Sequence, residues 1–363
     1  MATSYRYLFA DLLTNNIIAE LPLTGVSFTQ QLNQAGTFQG HILLSGVQAA
    51  NLNVANGTIP ARTALYVDRN GTLVWGGVIW AREYDSTSQT LKITAREFES
   101  YFERRRITTD TVFTSVDQLT IAESIINTAQ ATPYGNIGLV VPTNTSGVTV
   151  SRTYYGYELK TVFSALQELS RQTNGFDFNV QVSYVSGIPT KTLVLGYPRI
   201  GYVYSFGDIS VPVFTLPAGN IVQYTYPEDG SIAANTVYTL GAGSNEGKLI
   251  SIATDATKTA TGWPLLEDQA NYSDVSDATL LSQLASAKVA AVSYPPTTIK
   301  VVVPAYQDPV LNSYSIGDDA RLIITDNNFP TTLDAVYRIV GLSIQPGENA
   351  PERVTLTLTT TSN

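Results

Sequence analysis

The stretch TALYVDRNGTLVWGGVIW, residues 63–80, decides how this chain folds. Its first half alternates apolar and polar residues, as a half-buried β-strand does. Asn70-Gly71 then supplies the positive backbone angles of a tight hairpin turn. Gly76-Gly77 lies inside the next strand, where paired glycines indicate a β-bulge or the close approach of another backbone. With a third alternating strand at 90–95, the stretch predicts a strongly bent antiparallel meander over residues 64–95.

The same order of elements returns near the end of the sequence. Residues 320–324 predict a strand, 335–344 a long second strand that contains Gly341, and 354–358 a closing strand of period two. Few residues are identical, so the similarity lies in the order of strands and turns. Unrelated antiparallel modules also show such an order. Because the two orders match, we expect the two modules to superpose as copies of one barrel. Such a repeat would change the predicted fold.

Two amphipathic helices are predicted between the meanders. The first follows Ser115-Val-Asp-Gln, which has the form of a capping box, and ends before Pro133-Tyr-Gly. An alternating strand and its hairpin partner, residues 176–197, follow the second helix, whose apolar face we expect to pack on that hairpin. That face consists of Leu159, Val162, Phe163, Leu166 and Leu169.

The sequence therefore predicts a mainly β protein with a smaller α+β part, in which two tube-like antiparallel β-barrel domains flank an α+β domain. The first β-barrel domain spans 1–106, and the α+β domain with its amphipathic helices spans 107–205. The second β-barrel domain spans 206–363, with a helical insertion near 277–292.

Composition bounds the possible functions. The 363 residues include 21 Lys and Arg against 30 Asp and Glu, a net charge of −9, and 14% are charged, against roughly 25% in ordinary soluble domains. This acidic balance argues against a nucleic-acid binder, which needs clustered Lys and Arg. The absence of cysteine excludes disulfides, thiolate nucleophiles and Cys-ligated metals. The amino terminus lacks a signal-peptide layout and no apolar run reaches the roughly 20 residues of a membrane span, so we expect a soluble protein without membrane insertion.

No residue set predicts chemistry. His41 is the only histidine, and a strand-surface position explains it better than a catalytic triad or a metal site. Asp318-Asp319 and Asp326-Asn-Asn suggest turns rather than a calcium loop. The glycine-rich segment 241–247 lacks the Lys-Ser/Thr of a P-loop and predicts a hairpin loop. We therefore predict no catalytic, cofactor-binding or metal-binding residue and no cofactor.

Two further features suit either packing or an interface. The run Arg104-Arg-Arg is expected to pair with Glu97, Glu99 and Glu103, or with acidic groups across an interface. The 21 tyrosines and three tryptophans suit sugar-stacking platforms or protein interfaces. For Trp75 and Trp80, packing in a core or an interface is the default expectation.

Several stretches resemble the hub, or tail-tip minor tail, proteins of tailed bacteriophages. The resemblance covers most of the chain and is weakest over 196–295. It rests on Tyr5-Arg-Tyr-Leu-Phe-Ala-Asp-Leu, Leu21-Pro-Leu-Thr-Gly-Val-Ser-Phe, the 68–80 hairpin, the Arg-rich connector, Ile316-Gly-Asp-Asp-Ala-Arg-Leu and Val336-Tyr-Arg-Ile-Val-Gly.

The resemblance implies a structural, non-enzymatic protein of the virion, made in the host cytoplasm. Such a protein forms a homotrimeric baseplate-hub ring at the tail tip, where six barrels from three chains adapt a sixfold tail tube to a threefold tip. Its partners would be a distal tail or tail tube protein ring, the tape measure protein and further tail-tip or receptor-binding proteins. A carbohydrate-binding or glycoside-hydrolysing β-rich protein remains the alternative.

A hub ring must let DNA pass without specific binding. We therefore expect lumen-facing residues to be mainly Asp, Glu, Ser, Thr, Asn and Gln, with the arginine run in contacts elsewhere, because a basic wall would hold the phosphates. The middle domain, about 108–204, is expected outside the ring, because each of its helices has a single apolar face.

Overall fold

The computed structural model describes residues 3–44, 53–204, 208, 210–273, 275–293, 298–348 and 350–360. The chain forms two compact units: Met1–Ser170, Phe176–Tyr224 and Lys300–Asn363 make the first, and Arg171–Gly175 and Thr225–Ile299 the second. Strands hold 43% of the residues and helices 17%, which confirms the predicted mainly β class. The division into three domains stays a prediction, and its boundary at 205–206 lies outside the described residues.

The first β-module is an all-antiparallel set of seven strands within the first unit. Their spatial order is β3-β4-β7-β6-β5-β1-β2. Asn70 and Gly71 both have positive φ, 54° and 85°, and form the predicted hairpin turn. The elements are β1 Tyr5–Asp11, β2 Ile17–Glu20, β3 Thr24–Gln31, β4 Thr37–Leu43, α1 Val54–Gly57, β5 Thr63–Arg69, β6 Thr72–Asp85, β7 Thr90–Glu97 and α2 Glu99–Phe102.

An α+β segment follows in the same unit. Strands β8 and β10 pair antiparallel, and β12 pairs antiparallel with β11 and parallel with β9. The elements are β8 Thr111–Asp117, α3 Gln118–Ala131, β9 Leu139–Val140, β10 Thr149–Tyr154, a 3₁₀ turn at Gly156–Glu158, α4 Val162–Ser170, β11 Asp177–Val185 and β12 Ile188–Gly196.

Two short strands, β13 Val213–Leu216 and β14 Gln223–Thr225, come next. The second unit then has a three-stranded sheet in the order β16-β15-β17, in which the glycine-rich 241–247 segment lies between the antiparallel strands β15 and β16, as predicted. Its elements are β15 Thr236–Leu240, a 3₁₀ turn at Asn245–Gly247, β16 Ile250–Thr254, α5 Ala256–Ala260, β17 Glu267–Asn271 and α6 Ala278–Val292, the predicted helix.

The chain ends in four strands that belong to the same sheet as the first module. They are β18 Ile299–Pro304, β19 Asp319–Ile324, β20 Leu333–Gln345 and β21 Arg353–Thr360. Strand β13 pairs parallel with β19, and β14 is the neighbour of β18 at the sheet edge.

The two meanders share strand order and pairing register. Strands β5, β6 and β7 are successive antiparallel neighbours, and so are β19, β20 and β21. Each long middle strand has a register shift directly after an isoleucine, Ile79 in β6 and Ile339 in β20. The turns that follow close on the pairs Asp85 with Thr90 and Gln345 with Arg353. The predicted order of elements thus recurs with a matching pairing register, and the superposition of the two modules as copies of one barrel stays a prediction.

The long strand β20 joins the two modules. Strand β3 pairs antiparallel with its carboxyl-terminal half, where Phe28 lies opposite Ile344 and Gln31 opposite Gly341. Strand β19 pairs with the amino-terminal half, and β21 occupies the other edge. Both modules therefore belong to one 13-stranded sheet, whose main path runs β14-β18-β21-β20-β3-β4-β7-β6-β5-β1-β2.

The paired glycines mark close packing rather than a bulge. A Cβ on Gly76 would lie 2.7 Å from Val182 Cγ1, because β11 packs across β6 at this point. A Cβ on Gly77 would lie 2.2 Å from the carbonyl oxygen of Arg96. The register shift itself falls between Ile79 and Ala81. Of the two alternatives that the sequence left open, the close approach applies at the glycines and the bulge lies beyond them.

The helix starts differ from the predicted ones. Asp117, not Ser115, caps α3: its Oδ1 accepts the N–H of Leu119 at 2.9 Å, and Ser115 belongs to β8. Leu159 is not on the apolar face of α4, because it precedes the helix with φ 49° and is 53% exposed. The Thr161 hydroxyl accepts the N–H of Ser164 at 2.9 Å and so begins the helix after Leu159.

An apolar core joins the first β-module to the α+β segment. The four other predicted residues of α4 are buried in it together with Phe176, Phe178 and Leu193, as expected for packing on the β11–β12 hairpin. The rings of Phe163 and Phe178 meet edge to face at 6.0 Å. Each fully buried side chain of this size contributes roughly 1.5–3 kcal/mol relative to exposure.

Candidate assembly surface

The seam between β3 and β20 has a buried face and a polar face. Phe28 and Ile344, which lie opposite each other, are each 1% exposed. The next pair, Thr29 and Ser343, points to the other side and is half-buried, since side chains alternate along a strand. The seam is therefore both part of the core and part of an accessible sheet surface.

Neutral polar side chains predominate on that surface. Ser343 is opposite Thr355 of β21, and Ser27 of β3 is opposite Gln39 of β4, so the polar side of the seam continues across its neighbours. A groove of about 490 Å³ follows it. Its lining residues are Thr29, Gln30, Gln31, Leu32, Gln34, Lys300, Val340, Gly341, Leu342, Ser343, Thr355 and Thr357.

A buried ion pair ties the two modules together beside the seam. The Arg69 guanidinium at the end of β5 donates to both carboxylate oxygens of Glu352 in a bidentate contact of 2.8 and 2.7 Å. Their side chains are only 11% and 5% exposed. The Tyr5 hydroxyl donates to the same carboxylate, and burial together with that hydrogen bond raises the pKa of Tyr5. Charge-assisted bidentate pairs fix geometry as well as contribute energy, so they hold the modules in one arrangement.

Side-chain hydrogen bonds to the backbone add to this connection. The Trp75 indole N–H donates to the Thr29 carbonyl oxygen at 3.0 Å, while its ring lies 5.3 Å from that of Phe38. The Gln30 amide donates to the Val74 carbonyl oxygen at 3.2 Å. Strand β6 of the first meander thus supports β3, the strand that pairs with the second meander. Trp75 is fully buried, in line with its predicted packing role.

Solved structures of tail proteins are similar in fold to this chain. The tail protein from Neisseria meningitidis matches with a TM-score of 0.65 and 13% identity, over 99% of this chain and 97% of that one. The 43 kDa tail protein of prophage MuSo2 from Shewanella oneidensis gives 0.61 and 13%, over 98% of each chain. The chain has the fold of phage tail proteins.

Prophage tail protein gp18 from Listeria monocytogenes shares this phage tail-protein fold, with a TM-score of 0.53 and 13% identity over 97% of this chain and 94% of that one. No protein-family model matches the sequence, and no curated protein matches it either. The likeness therefore lies in the path of the chain and not in its residues.

The arginine run does not pair as predicted in this phage tail-protein fold. The Arg105 guanidinium donates to the hydroxyl groups of Tyr101 and Thr132, and Arg106 donates to the Leu159 carbonyl oxygen at 3.4 Å. Glu103 pairs instead with Arg96 of β7, at 2.6 Å. The prediction of pairing with Glu103 is wrong because β7 already presents a cation beside that residue.

Glu97 and Glu99 are also unavailable to the arginine run. Each is buried and accepts a backbone N–H, Glu97 from Gly36 at 2.6 Å and Glu99 from Val180 at 2.5 Å. Burial raises the pKa of Glu99 to about 7. Burial and repulsion from Glu99 raise the pKa of Glu97 well above its ordinary value. The two carboxyl groups thus hold the backbone of neighbouring segments, and the predicted pairing with them is wrong too.

A buried lysine lies close to the segment that contains Glu97 and Glu99. Lys191 of β12 is 1% exposed, and its ammonium group lies 3.2 Å from the Tyr66 hydroxyl and 4.8 Å from the centre of the Phe98 ring. Burial lowers the pKa of Lys191 to about 8. No sequence pattern predicts this contact, because it joins residues 125 positions apart.

The structure places the other candidate positions on a strand and in turns. His41 is half-buried on β4, which confirms the strand-surface interpretation. Asp326 accepts the N–H groups of Asn328 and Phe329, both at 2.9 Å, in the predicted turn. Asp318 and Asp319 do more than form a turn, because they accept the N–H groups of Tyr202 and Tyr204 and so hold the 202–204 segment against β19.

Neither a metal cluster nor a membrane span is found in the described part of the chain. No group of three or more His, Asp or Glu side chains there is arranged to hold a metal ion. None of its helices combines the length and the apolar character needed to cross a membrane.

Proposed function

We propose that this chain is a structural protein of a phage tail that forms a homotrimeric hub ring at the distal end of the tail. The observation that supports this most strongly is the pair of register-matched meanders joined in one sheet. Three such chains supply six equivalent meanders, which is the number needed to meet a sixfold tube while the ring itself remains threefold.

The polar face of the seam is proposed to line the DNA exit channel. Thr, Ser and Gln side chains offer hydrogen bonds without the fixed positive charge that holds phosphates. The groove contains one cationic residue, Lys300, and no carboxylate among its lining residues. Such a wall neither binds DNA tightly nor repels it strongly.

The remaining surfaces are assigned to neighbours in the tail. The two rims of the ring would meet the distal tail or tail tube protein and the further tail-tip or receptor-binding proteins, with the tape measure protein near the channel. The α+β segment is proposed to lie outside the ring and to brace it, because its helices already use their apolar faces in the core shared with the first β-module.

No observation on the described residues supports the carbohydrate-active alternative. The interacting carboxyl groups of Glu97 and Glu99 are 5% and 2% exposed, so they are not presented to a substrate. The cavity beside Arg105 has a volume of about 50 Å³, below the roughly 300–1,000 Å³ that is typical of small-molecule sites. The groove along the seam is large enough, at about 490 Å³, but its lining residues include neither an aromatic ring for stacking on a sugar nor a carboxylate. We therefore propose a role without catalysis.

Electron cryomicroscopy of tails that contain this chain tests the proposal. The expected result is threefold density at the tail tip, with two meanders per chain arranged around the channel and the α+β segment on the outside. Density for this chain with sixfold symmetry, or with the groove facing away from the channel, would contradict the hub assignment.

A further inference from the structure

Part of one edge of β6 in the first meander has no paired strand among the described residues. The equivalent part of the edge of β20 in the second meander is paired. Strand β5 pairs with Thr72–Val78 of β6 and β7 pairs with Gly77–Asp85 on the other side. Within the described residues, no strand pairs with residues 81–85 on the β5 side. An unpaired row of backbone N–H and C=O groups is a template for another strand.

The second meander shows which kind of element pairs with the equivalent edge. In both modules, pairing between the long strand and the strand before it ends near an isoleucine of the long strand. There the Ala61 N–H donates to the Ile79 carbonyl oxygen, and the Gly317 N–H donates to the Ile339 carbonyl oxygen, both at 2.7 Å. Beyond Ile339 the vacated edge of β20 is taken by β3. Beyond Ile79 no strand among the described residues pairs with the equivalent edge of β6, residues 81–84.

The exposed fractions of side chains at the two equivalent edges also differ. Ile344 of β20 is 1% exposed, since Phe28 of β3 lies opposite it. The register of the two meanders places Tyr84 at the equivalent position of β6, and Tyr84 is 53% exposed. An aromatic side chain therefore stays uncovered at the position where the other module buries an isoleucine.

Among the described strands, the one at the outer end of the second module has a neighbour on one side only. Strand β14 lies beside β18 at the end of the sheet, just as β3 lies beside β4. The Val222 N–H donates to the Val302 carbonyl oxygen at 2.9 Å, which fixes the alignment of β14. The Ala305 N–H donates to the Glu352 carbonyl oxygen at 3.1 Å, which aligns β18 with β21. Counted across both pairings, Thr225 takes the position that Phe28 has in β3.

We propose that β14 of one copy pairs antiparallel with residues 81–84 of β6 in the next copy, with Thr225 opposite Tyr84. This contact would repeat between chains the β3–β20 pairing that already exists within the chain. It joins unlike surfaces head to tail, so it closes into a ring when the rotation between copies allows closure. The inference rests on the proposed ring-forming function and adds the strands that form the contact.

Paired cysteines test it, because the natural chain has no cysteine. Directly opposed residues of antiparallel strands have Cα atoms about 4.5–5.5 Å apart, within the range of a disulfide. The variant Tyr84→Cys with Thr225→Cys should, after mild oxidation, shift from the 39.2 kDa chain to covalent dimers and trimers that reductant reverses. Peptide mass spectrometry should find the disulfide between positions 84 and 225.

Three controls make the outcome specific. Each single variant, Tyr84→Cys or Thr225→Cys, should give no covalent trimer. The pair Thr29→Cys with Ser343→Cys replaces residues that are opposite each other within the chain, and should form a disulfide without any increase in mass. Native mass spectrometry of the unmodified protein reports the assembly state without cross-linking.

The outcomes separate the two proposals. A trimer by native mass spectrometry without the 84–225 disulfide would overturn the strand pairing and leave the hub ring intact. Open-ended covalent polymers joined at 84–225 would support the pairing and contradict the closed threefold ring. A protein that stays monomeric at every concentration, with no 84–225 disulfide in purified tails either, would overturn the pairing.

Discussion

At the scale of single residues, Glu352 is the group on which the joint between the two modules most depends. Replacing it with alanine, Glu352→Ala, would leave the buried Arg69 guanidinium and the Tyr5 hydroxyl without their shared acceptor. Breaking a buried ion pair from one side costs about 3–5 kcal/mol, so we expect the free energy of unfolding in urea to fall by that amount.

The pair formed by Arg6 and Glu20 provides the matched control. It has the same bidentate chemistry, with contacts of 3.0 and 2.7 Å, but about half of each side chain is exposed. The variant Glu20→Ala should change the free energy of unfolding by no more than about 1 kcal/mol. Equal losses in the two variants would show that burial is not what makes the Glu352 contact important.

Glu99 makes stability depend on pH in an unusual direction. Burial raises its pKa to about 7 from an ordinary 4.5, so between these values the unfolded chain has lost a proton that the folded chain keeps. Raising the pH in this window therefore favours unfolding. The stabilising contribution is complete below pH 4.5 and is lost as the pH rises through about 7. We expect stability to fall over this range, by at most about 1.4 kcal/mol per pH unit from this carboxyl group.

Urea unfolding at half-unit pH steps measures this dependence. The variant Glu99→Gln should reduce the slope between pH 5 and 7 and leave the part that comes from Glu97, because burial raises the pKa of Glu97 too. The variant Glu158→Gln, at an exposed position, should leave the slope unchanged. A wild-type slope that persists in full in Glu99→Gln would assign the effect to another group, with Glu97 as the first candidate because burial and repulsion from Glu99 raise its pKa in the same direction.

At the scale of elements, local sequence signals predicted the strands well and their long-range pairing poorly. The turn at Asn70-Gly71 and the alternation around it fixed the first meander, because turn type and period two are local properties. The apolar pattern of α4 extended to Leu159, because periodicity does not register the cap at Thr161 that starts the helix. Helix boundaries depend on such single hydrogen bonds, and the pattern alone does not resolve them.

Sequence patterns did not predict which strands form the assembly surface. The seam joins Phe28 to Ile344, more than 300 positions apart, and only tertiary packing selects that partner for β3. The sequence predicted mainly Asp, Glu, Ser, Thr, Asn and Gln for residues that face a lumen, and this stays a prediction. It did not predict which strands present Thr, Ser and Gln together on the seam. The buried contacts of Lys191 and Glu352 were missed for the same reason, because each joins separate modules or segments.

At the scale of the whole molecule, the proposed channel wall can be tested by adding charge to it. Thr355 and Thr357 line the groove from β21, and the variant Thr355→Arg with Thr357→Arg would place six additional guanidinium groups around a threefold channel. Duplex DNA carries one negative charge per roughly 1.7 Å of its axis, so these groups would hold passing phosphates. We expect DNA release from phage particles carrying the variant to slow several-fold at about 50 mM salt and to recover towards the natural rate at about 200 mM, because added salt weakens phosphate contacts.

Two controls separate the position of the charge from the charge itself. The variant Thr114→Arg with Thr149→Arg adds the same charge at exposed positions of the α+β segment, which is proposed to lie outside the ring. The variant Thr355→Gln with Thr357→Gln changes the size of the groove side chains without adding charge. Time-resolved fluorescence of released DNA should show slowing in the groove arginine variant alone. Equal slowing by both arginine pairs, or a rate that does not respond to salt, would place this face away from the path of the DNA.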